Sequence, residues 1–334
     1  MSVAQVRDVA ALAGVSPGTV SNALNHPDKV SPATRDRIFA AIEELGFVRN
    51  EAAAQLRRGV NRAIGMLVLD VANPFFTDVA RGVEDRLAGE NRTLTLGNSG
   101  QDLARESAHL DAFEEQRPAG LLVTPVGKDL ARLRRLRDRG TAIVLVDRLS
   151  KTKDFSSVAV NDRLGGRVAA EHLLSQGRRN IAFIGGPRGL TQVSTRLKAA
   201  QDAVRTFGSG SLNFVETATM NALAGRQAVE QLLALSRRAR PDAIFAANDL
   251  VALGALQALT LAGLRVPDDM AIVGYDDIDF AASAAIPLSS VRQPAQELGH
   301  TAAGLLLEAI DAPEGTTRHV VLEPELVVRE SSGS

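Results

Sequence analysis

A chain of 334 residues with a formal net charge of −1 and no cysteine has room for two to three domains, and it excludes disulfides, thiolate metal sites and a uniformly basic surface. Histidines 26, 109, 172, 300 and 319 show no metal-ligand spacing, so neither a metal nor a cofactor is expected. The start MSVAQVRDVA has no basic segment leading into an apolar one, and no apolar run nears the ~20 residues of a membrane span, which points to a cytoplasmic protein.

The first element is "VRDVAALAG". Val6, Val9, Ala10 and Ala13 recur at helical spacing, and Gly14 suits the positive φ of a sharp turn. In "VSPGTVSNALN" Ser16 is an N-cap and Pro17 a first helical residue, with Val20 and Leu24 on one apolar face. Gly18, Ser21, Asn22 and Asn25 line the opposite face, with Thr19 beside it; all are short groups that permit close approach. "SPATRDRIFAAIEELG" repeats the grammar: Ser31 caps, Pro32 begins, Ile38, Ile42 and Leu45 face inward, and Gly46 ends the helix. Three such helices make a helix-turn-helix, whose second helix enters the major groove of DNA.

The periodicity alone fits an unrelated three-helix bundle equally well, and charge does not decide between them. Through Gly59 there are seven basic residues (Arg7, Lys29, Arg35, Arg37, Arg49, Arg57, Arg58) and six acidic ones (Asp8, Asp28, Asp36, Glu43, Glu44, Glu51), a net of +1. Any footprint on phosphate must come from their distribution. Next, "VRNEAAAQLRRGV" offers Asn50 as a cap and high helix propensity over barely two turns, so it becomes a stable helix only against a partner.

Farther on, short apolar runs alternate with amphipathic stretches: "AIGMLVLD", a helix over 77–88, "RTLTLGN", "AGLLVTPV" and "AIVLVDR". A second copy follows with "NIAFIGG", a helix over 195–207, "DAIFAAND", the helix "LVALGALQALTLAG" and "MAIVGYDD". This is the grammar of parallel sheets covered by helices, in two similar lobes. Ligands collect at the carboxyl ends of such strands, which here carry Asp70, Asn98, Asp147, Asn248, Asp249, Asp276 and Asp277. A cleft so lined suits a small polyhydroxylated or zwitterionic molecule. Asp and Asn are also common loop and cap residues, so each position taken singly has that alternative.

The residues from Asp8 to Asn25, with D-V-A, A-G-V-S, T-V-S and L-N at fixed spacing, followed by "VSPATRDRIFAAIEELGFVRNEAAAQL", resemble the headpiece of the lactose-repressor and galactose-repressor family of bacterial transcription factors. The resemblance runs to the end of the chain. It implies an all-α helix-turn-helix headpiece over 1–48, a hinge helix and linker over 49–60, and a two-lobed α/β effector domain over 61–330, like a type I periplasmic binding protein with parallel sheets. The first lobe would take about 61–159 and 292–322, the second about 160–290 and 323–330, with crossings near 158–161, 290–293 and 322–326.

The family pattern makes Ser16, Pro17, Gly18, Thr19, Ser21, Asn22 and Asn25 the groove-facing candidates, with Lys29, Asn50 and Arg57 as further DNA contacts. It makes Leu56 a wedge into the minor groove when two hinges meet. Pro17 and Gly18 stand where the family often has large reading groups, so base contact leans on Asn22. In the cleft the resemblance places Asn73, Phe75 and Phe76 on the first-lobe wall, Asp147 nearby, Gln192 and Arg196 after "FIGG", and Asn248 and Asp276 at second-lobe strand ends. Arg196 offers a rigid donor fork for vicinal hydroxyls or a carboxylate; its alternative is a surface arginine paired with Asp202 or another acid. Met220 stands where relatives often carry an aromatic platform, which leaves Phe75, Phe76 or Phe280 to stack on a ring.

The implied activity is that of a regulator, a repressor by resemblance, that binds a palindromic operator as a homodimer under control of a sugar-like effector. It works in the cytoplasm at the nucleoid and without catalysis. The effector, the sign of its control and the operator stay open. "LEPELVVRESSGS" lacks leucine heptads, favouring a dimer over a tetramer. Two rivals remain. An α/β enzyme is disfavoured because Gly185, Gly186 and Gly189 do not make G-x-G-x-x-G and no G-x-S-x-G occurs. A transport binding protein fits the lobes but not the fused headpiece.

Overall fold

The computed structural model describes residues 4–47, 61–313 and 315–333, in two compact units within residues 1–60 and 61–334. Asn50, Leu56 and Arg57 lie outside the described residues.

The first unit holds α1 (Val6–Ala13), α2 (Pro17–Asn25) and α3 (Pro32–Leu45). Gly14 and Gly46 end α1 and α3 with φ of 63° and 56°, a region that costs other residues backbone strain. Val9, Ala10, Ala13, Val20, Ala23, Ile38 and Ala41 form the core; Ile42 and Leu45 pack at its rim. The Ser16 hydroxyl accepts the Thr19 N–H at 3.1 Å, as expected of a cap. Ser31 holds the cap position of α3, but its hydroxyl donates instead to Thr34 Oγ1 at 2.9 Å and caps no backbone N–H. With so small a core, Ser16→Ala should lower the stability of this unit by about 1 kcal/mol, read as an earlier melting of its circular dichroism signal.

The second unit contains two six-stranded sheets. One has the order β11-β5-β4-β3-β1-β2, all parallel, from β1 (Ala63–Val68), β2 (Thr93–Asn98), β3 (Gly120–Val123), β4 (Ala142–Val146), β5 (Ser156–Val160) and β11 (His319–Leu322). The other has the order β12-β10-β9-β8-β6-β7, from β6 (Asn180–Gly185), β7 (Ser211–Glu216), β8 (Ala243–Ala246), β9 (Ala271–Asp276), β10 (Ser289–Arg292) and β12 (Glu325–Val327). Its strands are parallel except β12, which runs antiparallel at the edge. Central strands are apolar on both faces because helices cover both, whereas the edge strands β2 and β7 alternate toward solvent.

The chain passes between the sheets after β5 at Asn161, after β10 at Gln293, and between β11 and β12 at Glu323–Pro324. One apolar cluster runs through both lobes, from Ile64 and Val144 to Phe183 and Phe245. In each sheet the connections reverse direction next to the first strand, beside β1 and β6, and these switch points open a crevice at the carboxyl ends.

Two helices begin earlier than the apolar pattern predicts. α4 spans Pro74–Leu87 because Asn73 Oδ1 accepts the Phe75 N–H at 3.1 Å and Pro74 fits the first turn. α8 spans Thr191–Phe207, with Val193 buried in its first turn, and this sets Gln192 and Arg196 one turn apart on one face. The remaining helices are α5 (Leu103–Gln116), α6 (Ala131–Asp138), α7 (Asp162–Ser175), α9 (Ala222–Leu233), α10 (Asp249–Leu261), α11 (Asp279–Ser283) and α12 (Ala295–Asp311).

Helices α9 and α10 touch backbone to backbone. A Cβ on Gly254 would lie 1.8 Å from the Ala222 carbonyl oxygen, so Gly254→Ala must force the helices apart. A loss of about 1–3 kcal/mol is expected, measured by urea unfolding.

Candidate effector cleft and DNA-reading helix

On α2, Ser16, Pro17, Gly18 and Asn22 are exposed, and Thr19, Ser21 and Asn25 are half-buried. Ser16 and Thr19 share a 2.9 Å hydroxyl contact, and Asn25 donates to the Ser21 carbonyl at 2.8 Å. These bonds stiffen the helix edge. The Asn22 side chain is exposed, and none of the hydrogen bonds described above involves its amide. Lys29 is exposed in a single 3-10 turn, Pro27–Lys29, beyond α2.

In the cleft the structure brings five sequence-predicted residues together. Asn73 Nδ2 donates to Asp276 Oδ2 at 2.8 Å across the lobes. Gln192 Nε2 donates to both the Asp147 carbonyl and Oδ2, each at 2.8 Å, again across the lobes. Arg196 donates from Nε to Asp162 Oδ1 and from Nη1 to the Ala247 carbonyl, both at 2.7 Å, and its guanidinium lies 3.5 Å from the Tyr275 ring centroid. It is buried and has no part in the Asp202 pairing considered above, since Asp202 pairs with Arg205.

The side chains of the other three predicted residues make no hydrogen bond with these five among the described residues. Asn248 caps α10 through the Val251 N–H and donates to the Met220 carbonyl at 3.0 Å. Phe75 and Phe76 pack edge to face, 5.0 Å apart, in the main core. Phe280 is exposed on α11.

Residue periodicity did not single out Asp162, Tyr275 or Gln293, although each has a part. Asp162 opens α7 directly after the first crossing and accepts from both Arg196 and Tyr275 Oη, the latter at 3.2 Å. Gln293, at the second crossing, donates to Asp276 Oδ1 at 2.7 Å. An acidic or amide residue at each crossing was the available signal.

Behind the cleft, buried Asp249 accepts from Ser290 Oγ at 2.6 Å and from the Ile278 N–H at 2.9 Å. These bonds hold the 276–278 turn in shape. Asp147, Asp276 and Asp277 have φ of 52°, 108° and 55°, strained values that the surrounding contacts sustain.

Burial, and then the Asp162 carboxylate, push the Asp147 carboxyl up to about 7, against the pull of Arg196 and Gln192. Burial lifts Asp276 to about 6, opposed by Arg196, Asn73 and Gln293. Burial also works against the Arg196 charge, yet Asp162, Tyr275, Asp276 and Asp147 together hold it above the ordinary arginine value. The cleft is therefore one network of carboxylates and amides around a single guanidinium, with hydrogen bonds that run between the two lobes. Among the described residues no group of acids and histidines is arranged to hold a metal, and no helix is long and apolar enough to cross a membrane.

A helix-turn-helix joined to a two-lobed ligand cleft defines a ligand-controlled transcription regulator. Residues 5–50 match the family model of bacterial regulatory proteins, lacI family, and residues 170–332 match the periplasmic binding protein-like domain. The chain belongs to the LacI family.

It is 33% identical over 336 residues to the HTH-type transcriptional repressor PurR of Aliivibrio fischeri, with 98% of each chain covered. It is 34% identical over 333 residues to the ribose operon repressor of Escherichia coli, covering 99% of this chain and all of that one. The lac repressor dimer bound to operator and the anti-inducer ONPF superposes with a TM-score of 0.83 at 26% identity over the full length of both chains. The chain is thus a DNA-binding transcriptional repressor with an effector domain, and not an enzyme.

Proposed function

We propose that a homodimer of this chain binds a palindromic operator at the nucleoid and that a small sugar-like effector sets its affinity for DNA. In this reading residues 1–48 are the headpiece, 49–60 the hinge and 61–330 the effector domain. Asn22 reads a base edge, and Ser16, Thr19, Ser21, Asn25, Lys29, Asn50 and Arg57 position the helix on the backbone. Leu56 wedges the minor groove. Asn73, Asp147, Gln192, Arg196 and Asp276 hold the effector, with Phe75, Phe76 and Asn248 shaping the walls.

The observation that carries this reading is the pair of amide-to-carboxylate bonds across the lobes, Asn73 to Asp276 and Gln192 to Asp147. A ligand that replaces them changes how the lobes are held, which is the differential contact that control of DNA affinity requires. The ribose operon named for one relative supports a sugar as the ligand class.

The test is a mobility shift on the DNA upstream of the gene, with and without a panel of sugars. A two-fold footprint, steep salt dependence and a sugar-dependent change in affinity are expected, the direction of the change separating inducer from corepressor. One monomer per site, or turnover of the sugar, would sink the reading. In the same assay Leu56→Ala should weaken operator binding by a few kcal/mol and leave binding to scrambled DNA nearly unchanged. An equal fall on both DNAs removes Leu56 from the role of wedge.

A further inference from the structure

Gly14 and Gly46 hold positive φ, and Gly254 faces the Ala222 carbonyl oxygen, so each has a reason inside the fold. Gly18 has neither reason. It lies within α2, and a Cβ there would meet Ser16 Oγ at 3.6 Å, an ordinary contact. Beyond its chain neighbours and its own helix backbone, nothing else among the described residues comes within 4 Å. A glycine in a helix is less stable than an alanine, because its unfolded backbone has more freedom to lose. The first unit gains nothing in return, so the use of Gly18 lies in what α2 touches.

At about 3.6 residues per turn, Gly18 and Asn25 stand opposite the midpoint between buried Val20 and Ala23. Gly18 is therefore central on the outward face, in the turn that a recognition helix presents to base edges. Pro17 beside it is exposed and apolar. Neither residue has a side-chain donor or acceptor, so neither side chain can read the hydrogen-bond code of the groove. Ser16 and Thr19 flank the pair, and their hydroxyls are tied to each other at 2.9 Å. The apolar feature that a base pair displays in the major groove is the C5-methyl of thymine.

We propose that Gly18 is a specificity-determining residue: the space of its missing side chain, beside the Pro17 ring, admits a thymine C5-methyl and so selects thymine at one base pair of each half-site. This rests on the reading of α2 as the groove-facing helix of an operator-binding repressor, and it adds a methyl contact to the base edge assigned to Asn22.

The experiment selects the site of the full chain from a library of randomised duplexes. Each thymine of one selected half-site is then replaced singly by uracil, which lacks only the C5-methyl, and binding is titrated at one salt concentration. One replacement should weaken binding about fourfold, the value of a lost methyl contact. At that position a 5-methylcytosine–guanine pair should bind more tightly than cytosine–guanine, which separates the methyl from the shape of an A·T pair.

Gly18→Ala brings its own methyl into the space. It should melt no earlier than the native chain, bind the thymine site at least about fivefold more weakly, and no longer distinguish thymine from uracil at that position. A half-site with no uracil-sensitive thymine, or a Gly18→Ala chain that keeps the native sensitivity, overturns the inference and leaves the operator reading standing. Earlier melting of Gly18→Ala places the need for glycine inside the fold and likewise overturns it. If no sequence is enriched from the library, the operator reading falls together with the inference.

Discussion

Arg196→Ala should melt the effector unit about 10 °C below the native chain and abolish any response to ligand. The side chain is 4% exposed, and its removal strands the Asp162 carboxylate, the Ala247 carbonyl and the face of Tyr275 at once. A buried charge left without its partner costs about 3–5 kcal/mol, and in a domain of this size each kcal/mol shifts the midpoint by roughly 2–4 °C.

Arg196→Lys should recover only part of the loss. An ammonium can meet Asp162 or the Ala247 carbonyl, but it lacks the planar fork that reaches both while stacking on the ring. Removing both charges with Arg196→Met and Asp162→Asn should restore more stability than Arg196→Lys does, because no ion is then stranded. Scanning calorimetry of the four proteins makes the comparison. Native-like melting of Arg196→Ala would mean that the network holds the lobes together far less than its geometry implies.

Asp147→Asn should do the reverse and stabilise the protein above neutral pH. The carboxyl titrates near 7 in the folded chain against 3.8 when unfolded, so below about pH 4 both states carry the proton and the residue has no effect. Between pH 4 and 7 the unfolded chain releases its proton while the folded chain keeps it, and folding loses about 1.36 kcal/mol per pH unit. Above pH 7 the penalty is constant at about 4 kcal/mol. Asparagine never ionises, and its Oδ1 can still accept from Gln192.

The melting temperature of Asp147→Asn should therefore match the native chain at pH 4, pull ahead as pH rises, and lead by a fixed margin above pH 7. Its ligand response should be weakened throughout. A lead that is greatest in acid would reverse the sign and rule out an unfavourable buried carboxylate.

The sequence determined what depends on neighbours along the chain. Ser16 and Pro17 start α2, Gly14 and Gly46 end their helices, and the runs around Val68, Val146, Phe183 and Phe245 can only be strands covered on both faces. Each of these follows from capping, φ preference or periodicity, which act over a few residues. The family motif from Asp8 to Asn25 carried the regulator's identity for the same reason, since its spacing is local.

The partners of Arg196 were decided by tertiary structure alone. Asp202, six residues away, was the plausible partner on sequence, yet helix geometry turns it toward Arg205, and Asp162, 34 residues earlier, meets the guanidinium because α7 packs against α8. At the end of its strand Asn248 caps α10, and only the fold brings the Met220 carbonyl to its amide. Phe75 and Phe76 are adjacent in sequence, but only the packing sets their rings edge to face in the main apolar cluster. The raised carboxyl of Asp147 depends on burial and on charges brought from three other segments, so no window of sequence contains its cause. Local preference places a side chain at the end of a strand; only the packing of two sheets decides what that side chain faces.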